Sequence, residues 1–203
     1  MLLLVEHKKV VIVGIPGVGK TSLVTTIVEK LSDNGIAVSV HSYGTMMLDE
    51  AKDAGVNDRD ELRRLPVEKQ KGLQKNTAEK ISKLTDDIVF IDTHAFISTN
   101  EGFYPGLPNH VIQIIQPTHF IAISARPEEI YNRRMKDETR NRDKVSIESI
   151  KKELAIQDSM LSTCSVLSGS PMKVILNNEG KIEEAANNAV SYTHLTLPTN
   201  REV

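Results

Sequence analysis

Continuous apolar runs alternate with helical stripes along this chain. Lys8 to Val13 is a β-branched run without polar alternation, the pattern of a strand buried on both faces. From about Lys20 to Leu31 the period becomes helical, with Leu23, Ile27 and Leu31 on one stripe, and Asp33-Asn34-Gly35 ends the helix through a left-handed residue. Ile36 to His41 alternates and predicts a second strand, with Tyr43-Gly44-Thr45 at its carboxyl end. Met46 to Ala54 predicts a short helix and Asp58 to Arg64 a charged one. Pro66 opens a longer helix, which sets Leu73, Thr77, Ile81 and Leu84 at helical spacing. Asp87 to Asp92 is a third strand and ends in a carboxylate. Ser98 to Leu107 is polar and predicts a long loop.

Pro108 starts a helix through Ile115, Thr118 to Ser124 is the fourth strand, and Pro127 opens a helix through Met135. Asp137 to Asp143 is densely charged, and Ser146 caps a long helix carrying Ile147, Ile150, Leu154 and Leu161 on one stripe. Met172 to Leu176 is the fifth strand, and Lys181 opens the last helix. Strands alternating with helices predict an α/β fold with a parallel sheet, in one domain over residues 1–190. Ser191 to Val203 breaks the pattern and resembles the translated read-through of a sequencing adapter more than a protein segment. It is set aside as a non-native or disordered tail.

Composition narrows the partners. With 26% charged residues and a formal net charge of −2, no global field favours nucleic acid or a membrane surface. No apolar run approaches the roughly 20 residues that span a bilayer. Met1 to Val5 is too short for a secretory core and is followed by Glu6. Cys164 stands alone, which excludes an internal disulfide and a cysteine-cage metal site, and its apolar surroundings predict a core thiol. The expected location is the cytoplasm.

The chemistry starts where the first strand meets the first helix. Gly14-Ile15-Pro16-Gly17-Val18-Gly19-Lys20-Thr21 fits G-x-x-x-x-G-K-[ST] at every fixed position, with Ser22 following. Glycines let successive N–H groups turn toward phosphate oxygens, and the helix behind them presents its positive dipole end. Lys20 is placed to bridge β- and γ-phosphates, and the Thr21 hydroxyl to complete a Mg²⁺ shell. A P-loop binding ATP with Mg²⁺ is the reading. Asp92, at the carboxyl end of a central strand, is the second signal: it can hold the metal through water or orient a substrate. His94 is read as packed or backbone-bonded, without a catalytic role.

Arginines are the third signal. Arg126, Arg133, Arg134, Arg140 and Arg142 fall in the later half, and Arg59, Arg63 and Arg64 in the earlier. Planar bidentate donors suit several phosphates in one site, whereas lysine would serve a merely solvated face. Arg126 is read as solvated. Two arginine groups flanking one P-loop suggest two phosphorylated ligands. A phosphate acceptor is already ionised near pH 7, so transfer needs alignment, charge neutralisation and exclusion of water rather than a general base. A sugar or shikimate-type kinase would use a carboxylate to receive a hydroxyl proton, and Asp92 leaves that open.

Gly14 to Ser22, Tyr43-Gly44-Thr45-Met46-Met47, Asp58 to Arg63, Val89 to His94, Gly106-Leu107-Pro108 and Thr139 to Asp143 together resemble the archaeal-type adenylate kinase family. The resemblance covers Lys8 to Val190. It implies reversible transfer of the ATP γ-phosphoryl group to AMP, giving two ADP, on a P-loop fold of five parallel strands in the order 2-3-1-4-5. It also implies a helical AMP-binding segment about Gly44 to Leu65, a short lid about Asp137 to Asp143, and a homotrimer. Carried onto this sequence, Lys20, Arg133, Arg140 and Arg142 are the catalytic residues; Gly44, Thr45, Arg59, Arg63 and Asp92 meet AMP; Thr21 and Asp92 hold the metal. The wider family's glycine-phenylalanine-proline-arginine segment reads Gly102-Phe103-Tyr104-Pro105-Gly106 here, so its AMP-phosphate arginine is absent. The competing readings are another P-loop nucleoside monophosphate or small-metabolite kinase, and a non-enzymatic nucleotide-binding module. A GTPase switch would show an Asn-Lys-x-Asp guanine motif and an Asp-x-x-Gly after the metal strand, and this sequence has neither.

Overall fold

Three strands with unbroken apolar sequence form the centre of the protein. The computed structural model describes residues 7–52, 55–99, 101–136 and 146–194. In it β1 (Lys8–Gly14) lies between β3 (Ile88–Thr93) and β6 (His119–Ser124), parallel to both. The shorter β2 (Val38–Ser42) and β7 (Met172–Leu176) close the two edges, giving a five-stranded sheet in the order β2-β3-β1-β6-β7. Among this sheet's own strands that order is the expected 2-3-1-4-5.

Burial explains the pattern. Side chains alternate across a strand, so a central strand must be apolar on both faces. Val10 and Ile12 of β1 enter one core cluster with Leu23, Ile27 and Leu31 of α1 (Lys20–Asp33) and Ala185, Ala186 and Ala189 of α8 (Ile182–His194). Val11 and Val13 enter the opposite cluster, with residues of α2 (Tyr43–Lys52), α4 (Val67–Ser82), α5 (Asn109–Ile115) and α7 (Ile147–Ser168). Helices cover both faces of the sheet. α3 (Arg59–Arg64) packs against α2, and α6 (Pro127–Lys136) against α7.

The expected polar loop over Ser98 to Leu107 is instead largely an antiparallel hairpin, β4 (Phe96–Thr99) with β5 (Gly102–Pro105). Its aromatic residues hold it: Phe96 and Phe103 stack edge to face at 5.2 Å, and Lys152 of α7 lies over the Phe103 ring. Directly after it, Gly106 donates to the Ala95 carbonyl and approaches the His94 backbone so closely that a Cβ there would lie 1.9 Å from its oxygen.

Two boundaries also differ from expectation. β2 begins at Val38 and gives way at once to α2, so Tyr43, Gly44 and Thr45 form that helix's first turn. The last helix does not stop at Val190: it runs to His194, because Tyr192 packs its ring edge to face against His119 and Thr193 is fully buried. Along α7, Gln157 takes a buried place on the stripe with Ile150, Leu161 and Cys164, and bonds the Ile123 carbonyl at 3.4 Å. Ile147 and Leu154 are half-buried. Ser146 caps the helix through a reciprocal bond pair with Ser149. Cys164 is a buried free thiol, its pKa raised by desolvation.

Candidate active site

The parallel register brings Gly14, Ser42, Asp92 and Ser124 to one edge of the sheet, where strands β2 and β3 lie on one side of β1 and the later β6 and β7 on the other. Ligands of open α/β sheets bind at such a crevice. The glycine-rich loop spans Gly14 to Gly19 here. Gly17 and Gly19 have φ of +90° and +79°, backbone that a side chain would strain. Gly19 is the N-cap of α1 and offers no side chain to its first turn, which contains no acidic residue. The N–H groups over Lys20, Thr21 and Ser22 therefore lack a side-chain cap, as an anion site at a helix N-terminus requires.

The loop is gripped from outside by its carbonyls. Arg134 Nε donates to Pro16 O at 2.7 Å, Arg133 Nη1 to Gly17 O and Val18 O at 3.4 and 3.3 Å, and Asn177 Nδ2 to Val18 O at 2.9 Å. In a trans peptide the carbonyl and the next N–H point oppositely. Carbonyls held outward at Pro16 and Val18 therefore turn the N–H groups of Gly17 and Gly19 into the loop.

Lys20 forms an ion pair with Asp92 Oδ1, and both side chains are mostly buried. Burial, and then the positive charge of Arg59, lower the Lys20 pKa to about 8. Arg59 in turn donates to Thr45 Oγ1 at 3.2 Å, and Thr45 bonds Ser42 Oγ at 3.1 Å. Lys20, Asp92, Arg59 and Thr45 are thus brought to one place from four elements. Thr21 and Asp92 share the lining of a groove between α1 and β2 with Val24, Val28 and Val40. Gly44 lies beside Thr45 in the first turn of α2, with space around it. Arg63 is exposed on α3, one turn from Arg59. Ile15 and Val18 are buried and anchor the loop, and Ser22 accepts a bond from Thr26 through its carbonyl. Arg140 and Arg142, with the whole expected lid, lie outside the described residues.

The two adjacent arginines of α6 separate cleanly. Arg133 keeps 30% of its side chain exposed and also meets Glu129 and the Asn177 carbonyl. Arg134 is buried and carries a two-point bond to Glu153. Asn177, Glu129 and Glu153 were not singled out in the sequence. Only an asparagine at the carboxyl end of a strand, and a glutamate one helical turn before an arginine, could have suggested the first two.

A family profile described as an AAA domain matches residues 13–151. A protein named adenylate kinase from Methanocaldococcus jannaschii is 38% identical over 182 residues, covering 89% of this chain and 95% of its own. One of the same name from Thermoplasma acidophilum is 43% identical over 181 residues, with the same two coverages. Among solved structures, a shikimate kinase from Acinetobacter baumannii superposes with a TM-score of 0.53 at 12% identity, covering 92% of this chain and 93% of that one. At that identity the likeness speaks for the fold.

Proposed function

The chain belongs to the archaeal adenylate kinase family, and from that membership we propose how its residues carry out the family's reaction. The protein is an adenylate kinase, a phosphotransferase that uses ATP and AMP. The observation that carries the assignment of roles is the setting of Lys20: the P-loop helix presents it, Asp92 of β3 pairs with it, and the positive charge of Arg59, which itself bonds Thr45, acts on it. A donor nucleotide on the loop and an acceptor phosphate near Arg59 would then share the Lys20 neighbourhood.

On this reading Gly14 to Ser22 bind the ATP phosphates through backbone N–H groups, and Lys20 follows the transferred group as a point charge. Arg59, with Arg63, clamps the AMP phosphate, while Gly44 and Thr45 border it. Arg133 stands beside the loop, exposed enough to turn toward the nucleotide, and Arg140 and Arg142 complete the neutralisation. The acceptor is already an anion, so these groups orient and exclude water rather than move a proton.

The Thr21 hydroxyl and the Asp92 carboxylate fit Mg²⁺ by chemistry: both are hard oxygen donors lining one groove. An ion held by these two side chains would take its remaining ligands from phosphate and water. Bound there, the ion would offset charge on the phosphate oxygens. A homotrimer and a cytoplasmic location are further parts of the proposal. No helix among the described residues is long and apolar enough to cross a membrane.

The test is a coupled assay with Mg·ATP against AMP, CMP, UMP, GMP, shikimate and buffer alone. Reversible ADP formation with AMP is expected. Turnover with shikimate and none with AMP would overturn the acceptor assignment.

A further inference from the structure

Arg134 is placed where no substrate can reach it. Its side chain is only 4% exposed, and its guanidinium is held by Glu153 of α7, through Nη2 at 2.6 Å and Nη1 at 3.3 Å. A third donor among its five N–H groups, Nε–H, points at the Pro16 carbonyl at 2.7 Å. Its stem packs under the loop, with Cγ 3.0 Å from where a Cβ on Gly17 would sit. A buried guanidinium with a paired carboxylate is costly to assemble, and an apolar side chain would fill the same space more cheaply. What an apolar residue could not do is bind Pro16 O.

We propose that Arg134 is a positioning residue for the phosphate site. It fixes the Pro16 carbonyl outward, which turns the Gly17 N–H inward through the planar peptide, and Glu153 fixes Arg134. The loop conformation is thereby tied to both α6 and α7. The chemistry is directional: one guanidinium edge serves Glu153 and the Nε–H serves the loop. A lysine could meet one partner but not both in that geometry. Arg133, one residue earlier, takes carbonyls farther along the loop and remains accessible, so the two arginines have different tasks. This inference rests on the reading of Gly14 to Ser22 as the ATP phosphate site.

The experiment compares Arg134→Lys and Glu153→Gln with the unaltered full chain. It measures melting temperature, kcat and the two KM values, and binding of a fluorescent ATP analogue without acceptor. Arg134→Lys is expected to lower kcat about tenfold to a hundredfold, as a misplaced donor does, and to weaken analogue binding. KM for AMP should stay within about twofold, since the acceptor side is untouched. Glu153→Gln should move the same quantities in the same direction, less far. Unchanged kcat and analogue affinity in both variants would overturn the proposal. So would a lowered melting temperature with normal kinetics of the folded fraction, which marks a purely structural strut. Should Arg134→Lys not fold, Glu153→Gln decides by the same criteria. The binding measurement involves no acceptor, so a wild-type protein that binds the analogue yet ignores AMP would count against the acceptor assignment alone.

Discussion

Lys20 and Asp92 are ion-paired across the gap between the first turn of α1 and the carboxyl end of β3. The carboxylate holds the same ammonium that, on the proposed reading, the nucleotide phosphates would take. Nucleotide binding would then exchange one anion for another at Lys20 and leave Asp92 for the metal. The Lys20→Ala variant should lose at least about a hundredfold in kcat, because a preorganised charge aimed at the transferring group is removed. Its fold should stay intact, since Asp92 keeps 28% of its side chain exposed for water to solvate when unpaired and the desolvation cost of Lys20 is removed with it. Steady-state kinetics and a thermal melt check this; near-normal turnover would sink the assignment.

The pKa of about 8 at Lys20 gives nucleotide binding a pH dependence of definite sign. In the free protein the ammonium loses its proton above that value, whereas phosphate beside it raises its pKa in the complex. The complex then holds more protons than the free protein above about pH 8, so ATP affinity should fall as pH rises, by up to about tenfold per unit. Stability runs the other way: the unfolded chain binds the proton up to the ordinary 10.5, so this group contributes stability as pH rises from about 8 toward that value. Calorimetry in buffers of different ionisation enthalpy should record proton uptake on ATP binding at pH 8.5. No uptake would refute the linkage.

Asn177 and Gly19 are a second coupled pair. A Cβ on Gly19 would lie 2.6 Å from Asn177 Nδ2, in a backbone with φ of +79°. Gly19→Ala should weaken ATP binding and lower stability by about 1–3 kcal/mol, through strain and contact together. Asn177→Ala alone should cost about 1 kcal/mol, for the lost bonds to Val18 O and Gly19 O. Combined, the two should cost less than their sum, because the clash disappears with the amide. A thermodynamic cycle from denaturant melts measures the difference, and strict additivity would refute the coupling.

Which of these features could be read from the chain depends on how local they are. The P-loop is a contiguous spacing, and the Asp92 strand announces itself by an unbroken apolar run, so both were legible. The edge strand β2 was read two residues early because half-buried alternation fades gradually at its ends. The hairpin after Ala95 was missed: its strands are short and partly polar, and an aromatic contact across the turn holds them. The brace from Asn177 to Val18 joins residues 159 positions apart, and nothing near Asn177 in sequence marks it. Spacing alone does not separate Arg133 from Arg134. Their difference comes from Glu153, which lies on another helix.

Gly106 and Gly72 give a contrast that depends only on backbone packing. The Gly106→Ala variant would drive a Cβ into the His94 carbonyl at 1.9 Å, and backbone cannot step aside as a side chain tip can. It should destabilise the protein by more than about 3 kcal/mol and disturb the β3–β4 junction beside Asp92. Gly72 sits inside α4 with nothing within 4 Å of the corresponding position, so Gly72→Ala should stabilise by about 0.5–1 kcal/mol. Denaturant midpoints compare the two directly. Equal effects would contradict the close approach at Gly106.

On the proposed reading, Arg59 would link the acceptor side to the donor side through its charge. It bonds Thr45 at 3.2 Å, and its positive field is the second cause of the lowered Lys20 pKa. Removing it should therefore do two separable things. KM for AMP should rise by at least about tenfold, as expected when a charge-assisted bond to a phosphate is lost. The pH at which ATP affinity begins to fall should also move upward, because Lys20 then keeps its proton longer. Arg63→Ala, one helical turn away, should affect the first quantity and leave the second near its original place. ATP affinity of Arg59→Ala measured from pH 7 to 10, without AMP, isolates the second effect from acceptor binding. A break that stays near pH 8 would mean that burial alone sets Lys20, and that the two halves of the site are not coupled through Arg59.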